Sequence, residues 1–419
     1  MSGKLSFADT RNMLADRQFA LYTLGNLLSH IGDWAQRLAV GWLTWTLTES
    51  PGWLGIILFS DLAPTLLISP IGGAVADRVN RLKLVRLTLA LAMIQPVVLV
   101  TLYFTGLLNV WFLLAATIYL GVVNAFGQTT RIALVPMLVA EKDIARAAPI
   151  SSISFNIARF AGPALFGVIV SVANPGYAMV ANIIAYCIFF AVLMRLKPRY
   201  EAPNRHRGGG LGSDIWEGMR YALTHPAVGP MLIVLVASSV GTRAFIDLLP
   251  GFAGGVFGRG PQALSMMTSA VALGALSGAI YLTLRTSVIG LARISMFASM
   301  WVGACLIAFS FQTSLWPALV NLYFVGCGLS ISAVGVLSIT QTVVRGDMRG
   351  RALSIYGIIF RGGPALGGLI MGQIANFTGL SVPVAGGGVI CILAWIWVQR
   401  HLKDVESNIR HTVENGEKT

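Results

Sequence analysis

Charge is scarce in this chain of 419 residues: 11% of it is Asp, Glu, Lys or Arg, where a soluble domain carries roughly 25%. Acids are scarcer still, with 17 Asp and Glu against 30 Lys and Arg. The four cysteines, Cys187, Cys305, Cys327 and Cys391, sit inside apolar runs without metal-ligand spacing, which indicates neither a disulfide framework nor a metal site. Segments of about ten residues that alternate in polarity, the mark of transmembrane barrel strands, are missing. So are a Walker loop, a His-Glu-x-x-His motif and a nucleophile elbow. An enzyme is not expected, nor any cofactor. Without a nucleotide site the chain would draw energy from an ion gradient or from its substrate's own gradient.

What is present is apolar. Hydrophobic residues make up 55% of the chain and glycines number 46, and the mean hydropathy is +0.73. A spanning helix needs about 20 mainly apolar residues. Twelve such runs are predicted, near 20–48, 53–76, 84–104, 110–136, 146–172, 177–195, 228–252, 263–284, 288–310, 315–342, 350–377 and 382–400. Residues 1–19 are too polar for a cleaved signal, so the first span is expected to serve as its own insertion signal. With the N-terminus inside, 25 of the 30 Lys and Arg fall on the cytoplasmic side, as the positive-inside rule requires. Both termini are therefore expected in the cytoplasm. The net charge of +13 lies in short loops beside spans, where it meets lipid headgroups and not nucleic acid.

The polar stretch 196-LKPRYEAPNRHRGGGLGS-213 divides the runs into six and six. The organisation predicted is an N-terminal bundle at 1–195, a cytoplasmic linker at 196–226, a C-terminal bundle at 227–403 and a disordered cytoplasmic tail at 404–419. Within the linker, Ile215, Met219 and Ala222 would share one face of a surface helix capped by Asp214, or merely begin span seven. The two halves repeat. Span five carries 158-ARFAGPALFGVI-169 and span eleven 360-FRGGPALGGLIM-371, each after a basic loop, 141-EKDIAR-146 and 345-RGDMRGR-351. Duplicated six-span units are the organisation of many secondary transporters, with substrate near the midplane between repeats. Gly162, Pro163 and Gly167, with Gly363, Pro364 and Gly367, would bend these helices and give them smooth packing faces.

The loop 73-GAVADRVNRLKL-84 resembles the motif between the second and third spans of the major facilitator superfamily. Gly73, Asp77, Arg78, Arg81 and Lys83 match, and Asn80 replaces the usual Gly, a position where left-handed backbone geometry would suit Asn. The stretches 29-SHIGDWAQRLAVGWLTWTLTESPGWLG-55, 124-NAFGQTTRIALVPMLVAEKDIARA-147 and 155-FNIARFAGPALFG-167 are similar to the branch that holds bacterial enterobactin exporters and transmembrane secretion effectors. The resemblance implies two pseudo-symmetric six-helix bundles, alternating access, and residence in the bacterial inner membrane as a multi-pass monomer. It also implies that Asp77 latches one state, with Arg78, Arg81 and Arg131 as candidate partners. The corresponding loop of the second half, 277–293, has no acid.

Ionisable residues at membrane depth cost at least about 2.5–3.5 kcal/mol each, so each asks for a reason. The predicted spans hold Asp33, Asp61 and Asp247 with Arg37, Arg159, Arg243 and Arg361, and His30 lies one turn before Asp33. On helices, Asp33 and Arg37 would be i,i+4 neighbours, as would Arg243 and Asp247. Either these pairs are structural, or His30, Asp33 and Asp61 exchange protons while the arginines attract an anionic substrate, a role that suits the planar guanidinium. Trp34, Trp42 and Trp45 would line an apolar cavity or face lipid, and Trp53, Trp111 and Trp316 fall where interfacial anchors are expected.

The expected function is proton-coupled export of a small amphiphilic compound such as a siderophore or drug-like molecule. Lysolipid transport or flipping, solute import, and a non-transporting scaffold or sensor are the alternatives. Partners implied are the small-molecule substrate, protons and membrane lipids.

Overall fold

The computed structural model describes residues 13, 15–140, 143–199, 219–285 and 287–416. Among these residues there are helices and turns but no strands. The chain forms two compact units, one of residues 1–48 and 60–206, the other of residues 49–59 and 207–419.

The first unit is built on α1 (Arg17–Thr48), most of α2 (Pro51–Arg78), α3 (Arg81–Phe104), α4 (Val110–Leu134), α5 (Ile144–Val172) and α6 (Gly176–Arg195). Asparagines set two of the helix starts: the Asn109 side chain accepts from Trp111 N and Phe112 N, both at 3.0 Å, and Asn80 accepts from Lys83 N at 3.0 Å. Asn80 therefore does not take the left-handed geometry expected of it. It is extended, with φ −61° and ψ 113°, the backbone geometry usual for a residue that caps a helix start. α1 packs on α5 and α6, and α3 on α4 and α6. Their inner faces bury Phe19, Tyr22, Leu89, Tyr186 and Phe189 in one core.

The second unit starts its spans with α7 (Val228–Gly241). This helix breaks into a 3-10 turn at Arg243–Leu248, resumes briefly at Leu249–Gly251 and ends in a π turn at Phe252–Val256. Then come α8 (Pro261–Leu284), α9 (Leu291–Ser310), α10 (Leu315–Val343), α11 (Gly346–Thr378), α12 (Ser381–Gln399) and α13 (Leu402–Gly416). Eleven stretches of the described residues are long and apolar enough to cross a membrane. The 32-residue α1 is not among them, since its polar side chains dilute its hydropathy.

Two expectations change. The tail is not disordered over 404–416: α13 buries Leu402, Val405 and Ile409 in the second unit's core, and Glu406 pairs with Arg293 at 3.3 Å. That spacing of three and then four residues is the stripe of an amphipathic helix. The basic segment 345–351 is not a loop, because α11 begins at Gly346. Met219 and Ala222 pack into the core of the second unit, while Asp214 and Ile215 lie outside the described residues.

Candidate functional site

The half-way point of α1 gathers the first unit's charges. Asp33 and Arg37 do not pair with each other as their spacing suggested. Arg37 Nη1 donates to Asp61 Oδ2 of α2 at 2.7 Å, with side chains 34% and 23% exposed. Asp33 instead receives the Tyr186 hydroxyl on Oδ1 at 2.5 Å, and its Oδ2 lies 3.5 Å from His30 Nδ1. An interhelical partner across α2 wins over the i,i+4 partner because Arg37's planar fork reaches a carboxylate directly opposite. Asp33 is thereby separated from the cation expected to neutralise it.

Aromatic rings surround this cluster. Arg37 and Arg159 lie 5.9 and 5.8 Å from the Trp34 ring centroid, within cation–π range. Phe155 meets both His30, at 5.4 Å, and Trp34, at 6.3 Å, edge to face. Trp34 thus serves as an aromatic surface between two guanidiniums.

In the second unit Arg243 lies 3.8 Å above the Phe360 ring, and Phe360 stacks on Tyr356 at 5.5 Å and 17°. The Tyr356 hydroxyl donates to Ala333 O at 3.0 Å, which ties the stack to α10. Arg243 and Asp247 both lie in the 3-10 turn, where residues four apart point about 120° away from each other, so the i,i+4 geometry of an α-helix does not describe them. Irregular backbone at membrane depth is tolerated where it is buried in protein or lines water, and Ala244, Phe245 and Leu248 of the turn are buried. Arg361 is exposed on α11.

The repeated segments do the same job in each unit. A Cβ on Gly162 of α5 would collide with Trp34 of α1. On α11, a Cβ on Gly363 would come within 2.6 Å of the Ser239 side chain, and one on Gly367 would collide with Val240 O of α7. Pro163 and Pro364 lie inside α5 and α11, and Gly167 is half-buried.

At the latch motif, the side chain of Asp77 lies outside the described residues. Arg78 is exposed, and Arg81 Nη1 donates to Ala133 O of α4 at 3.4 Å. Arg131 sits 5.2 Å from the Phe189 ring and reaches Ser29 Oγ at 3.5 Å, while the Tyr22 hydroxyl donates to its carbonyl at 3.2 Å. Gly73 faces open space; the close-packed glycine is its neighbour Gly72, which abuts Ala125 of α4.

Reading charges alone missed four residues. Tyr186, Asn182, Gln36 and Gln95 are buried and polar but not charged at neutral pH. The signal was there: Asn182 and Tyr186 stand one turn apart in an otherwise apolar run, and polar side chains inside spans are costly enough to mark function. No group of three or more His, Cys, Asp or Glu among the described residues is placed to hold a metal.

Two units of long apolar helices, with charges held at depth and related packing segments, define a membrane transporter of the major facilitator type. Solved structures of that fold superpose on it: a nucleoside transporter with TM-score 0.72 at 10% identity, covering 92% of this chain and 99% of that one, and a bacterial homologue of the lysosomal transporter Spinster with TM-score 0.65 at 15% identity, covering 95% and 97%. The family profile of transmembrane secretion effectors matches residues 9–415, and the chain belongs to that family. Relatives include the staphyloferrin A transporter of Staphylococcus aureus, 24% identical over 90% of this chain and 95% of its own length. An uncharacterised MFS-type transporter of Bacillus subtilis is 23% identical over 71% of each.

Proposed function

We propose that this chain exports a small anionic amphiphile of siderophore type across the bacterial cytoplasmic membrane in exchange for protons, with Asp33 as the coupling acid. One observation carries the reading: Arg37 is matched by Asp61, so Asp33 sits instead beside His30, the side chain whose ordinary titration lies nearest neutrality. An acid that must gain and lose a proton in each cycle is poorly served by a permanent cation at its side. The guanidiniums of Arg37 and Arg159 around Trp34, and of Arg243 on Phe360, supply donors suited to carboxylates. The siderophore class draws support from the staphyloferrin A transporter among the relatives, and the outward direction from the secretion family. Asp77 acts as the conformational latch in the same reading.

The test uses everted vesicles with staphyloferrin A as probe. Asp33→Asn abolishes accumulation driven by a proton gradient while binding of the probe persists. Full proton-driven accumulation in that variant removes Asp33 from the mechanism.

A further inference from the structure

Tyr186 is 2% exposed and its hydroxyl is spent on Asp33 Oδ1. Asn182 precedes it by one turn of α6, on the same face. From there a chain of amides runs through the first unit: Asn182 Nδ2 donates to Gln36 Oε1 of α1 at 2.9 Å, and Gln36 Nε2 donates to Gln95 Oε1 of α3 at 2.5 Å. Asn182, Gln36 and Gln95 are 0%, 3% and 3% exposed. Gly32 makes room for this chain, since a Cβ there would collide with Asn182.

Such an arrangement is expensive if its only task is to join helices. Every polar group buried without a partner costs free energy, and close packing of small residues holds helices together in lipid without that risk. Although one buried acceptor of this chain, Asn182 Oδ1, has no partner among the described residues, a polar chain does fix side-chain positions tightly. Its exposed end is the carboxylate of Asp33, 34% open.

We propose that Tyr186 is a positioning residue for Asp33: its hydroxyl, seated beside the amide chain, holds the carboxylate through Oδ1 and leaves Oδ2, on the His30 side, as the atom that takes the transported proton. The proposal rests on the coupling role given to Asp33 above and specifies how that role is set. Donation to the charged form favours the charged form. Loss of the tyrosine's hydrogen bond therefore promotes proton uptake, and its return promotes release. The other ionisable groups that face this cluster are His30 and Arg37 on α1, Tyr22 at its start, Asp61 on α2, Arg131 on α4 and Arg159 on α5.

The experiment is an infrared titration of the purified full-length protein in lipid nanodiscs, read at the carbonyl stretch of protonated carboxyl groups. The difference between the native protein and Asp33→Asn isolates the Asp33 band. In Tyr186→Phe, which keeps the ring and its packing, the midpoint of that band moves to higher pH by roughly one unit, the worth of one hydrogen bond to a charged group. With 3-fluorotyrosine at position 186, a stronger donor in the same place, the midpoint moves the other way. A midpoint unmoved by Tyr186→Phe, or moved in the same direction by both changes, overturns the positioning role and leaves the coupling role of Asp33 standing. If Asp33→Asn removes no titrating band, the coupling role falls and this inference falls with it.

Discussion

The first and seventh spans carry the same four-residue spacing of acid and arginine, Asp33 with Arg37 and Arg243 with Asp247, at the same place in their units. Their folding differs. α1 runs unbroken from Arg17 to Thr48, and its charges are answered from neighbouring helices: Asp61 for Arg37, Tyr186 for Asp33. The seventh span stops being an α-helix at Thr242, and Arg243 is answered by the face of an aromatic ring. Charge spacing along a sequence thus says that a charge needs a partner without saying where the partner stands.

Breaking the ionic partner should cost most. Asp61→Asn leaves Arg37 without its counter-charge at membrane depth; for a pair that is partly exposed, the loss lies between that of surface and buried ion pairs, about 2 kcal/mol. The drop in thermal midpoint of the detergent-solubilised protein measures it. The double exchange Arg37→Asp with Asp61→Arg should recover more than half of the loss, and no recovery would mean that Arg37 is held by its surroundings and not by Asp61.

The aromatic partner should be worth less and should discriminate between cations. Arg243→Lys replaces a flat guanidinium on Phe360 with a compact ammonium, at a cost of about 1 kcal/mol, whereas Phe360→Leu in the native background should cost a similar amount and make the Arg243→Lys change neutral. Additive losses in the double variant would show that the two side chains do not act as a unit.

The fold was legible because its signal is bulk composition. Long apolar runs and the Lys/Arg asymmetry are sums over many residues, and errors at single positions do not disturb them. The site was legible only for charged residues, since a charge inside a span announces its own cost. Asn182 and Tyr186 carry a weak signal, one turn apart in an apolar run, while Gln36 and Gln95 carry none. Their meaning comes from being brought together by α1, α3 and α6, which local periodicity does not encode. The tail helix failed for the converse reason: the apolar stripe of Leu402, Val405 and Ile409 was present, but the surrounding charges made the segment look like one too polar to bury anything.

The two spans also differ in how they begin, and this should produce the smallest and most specific effect. α1 is capped by a carboxylate, Asp16 Oδ1, which accepts from Gln18 N at 3.0 Å and Phe19 N at 3.4 Å. α7 is preceded by His225, whose Nδ1 accepts from Ala227 N at 3.2 Å and Val228 N at 3.4 Å. Only a ring with a lone pair on Nδ1 can accept there, and partial burial accordingly lowers the His225 pKa below its ordinary value. Because the folded state resists protonation more than the unfolded one, the unfolded state binds more protons as pH falls, and stability declines with it. The cap is fully effective above the ordinary imidazole value of about 6.5 and is lost as pH falls through the lower value of the folded protein. A cap of this kind is worth about 1 kcal/mol or less, too little to unfold the unit but enough to loosen its first turn. Hydrogen exchange at Ala227 and Val228, corrected for intrinsic rates, should therefore quicken on going from pH 7.5 to 5.5, while Gln18 and Phe19 change less. His225→Asn keeps an acceptor without the titration and should flatten the profile. A pH dependence that survives His225→Asn would place its origin elsewhere in the second unit.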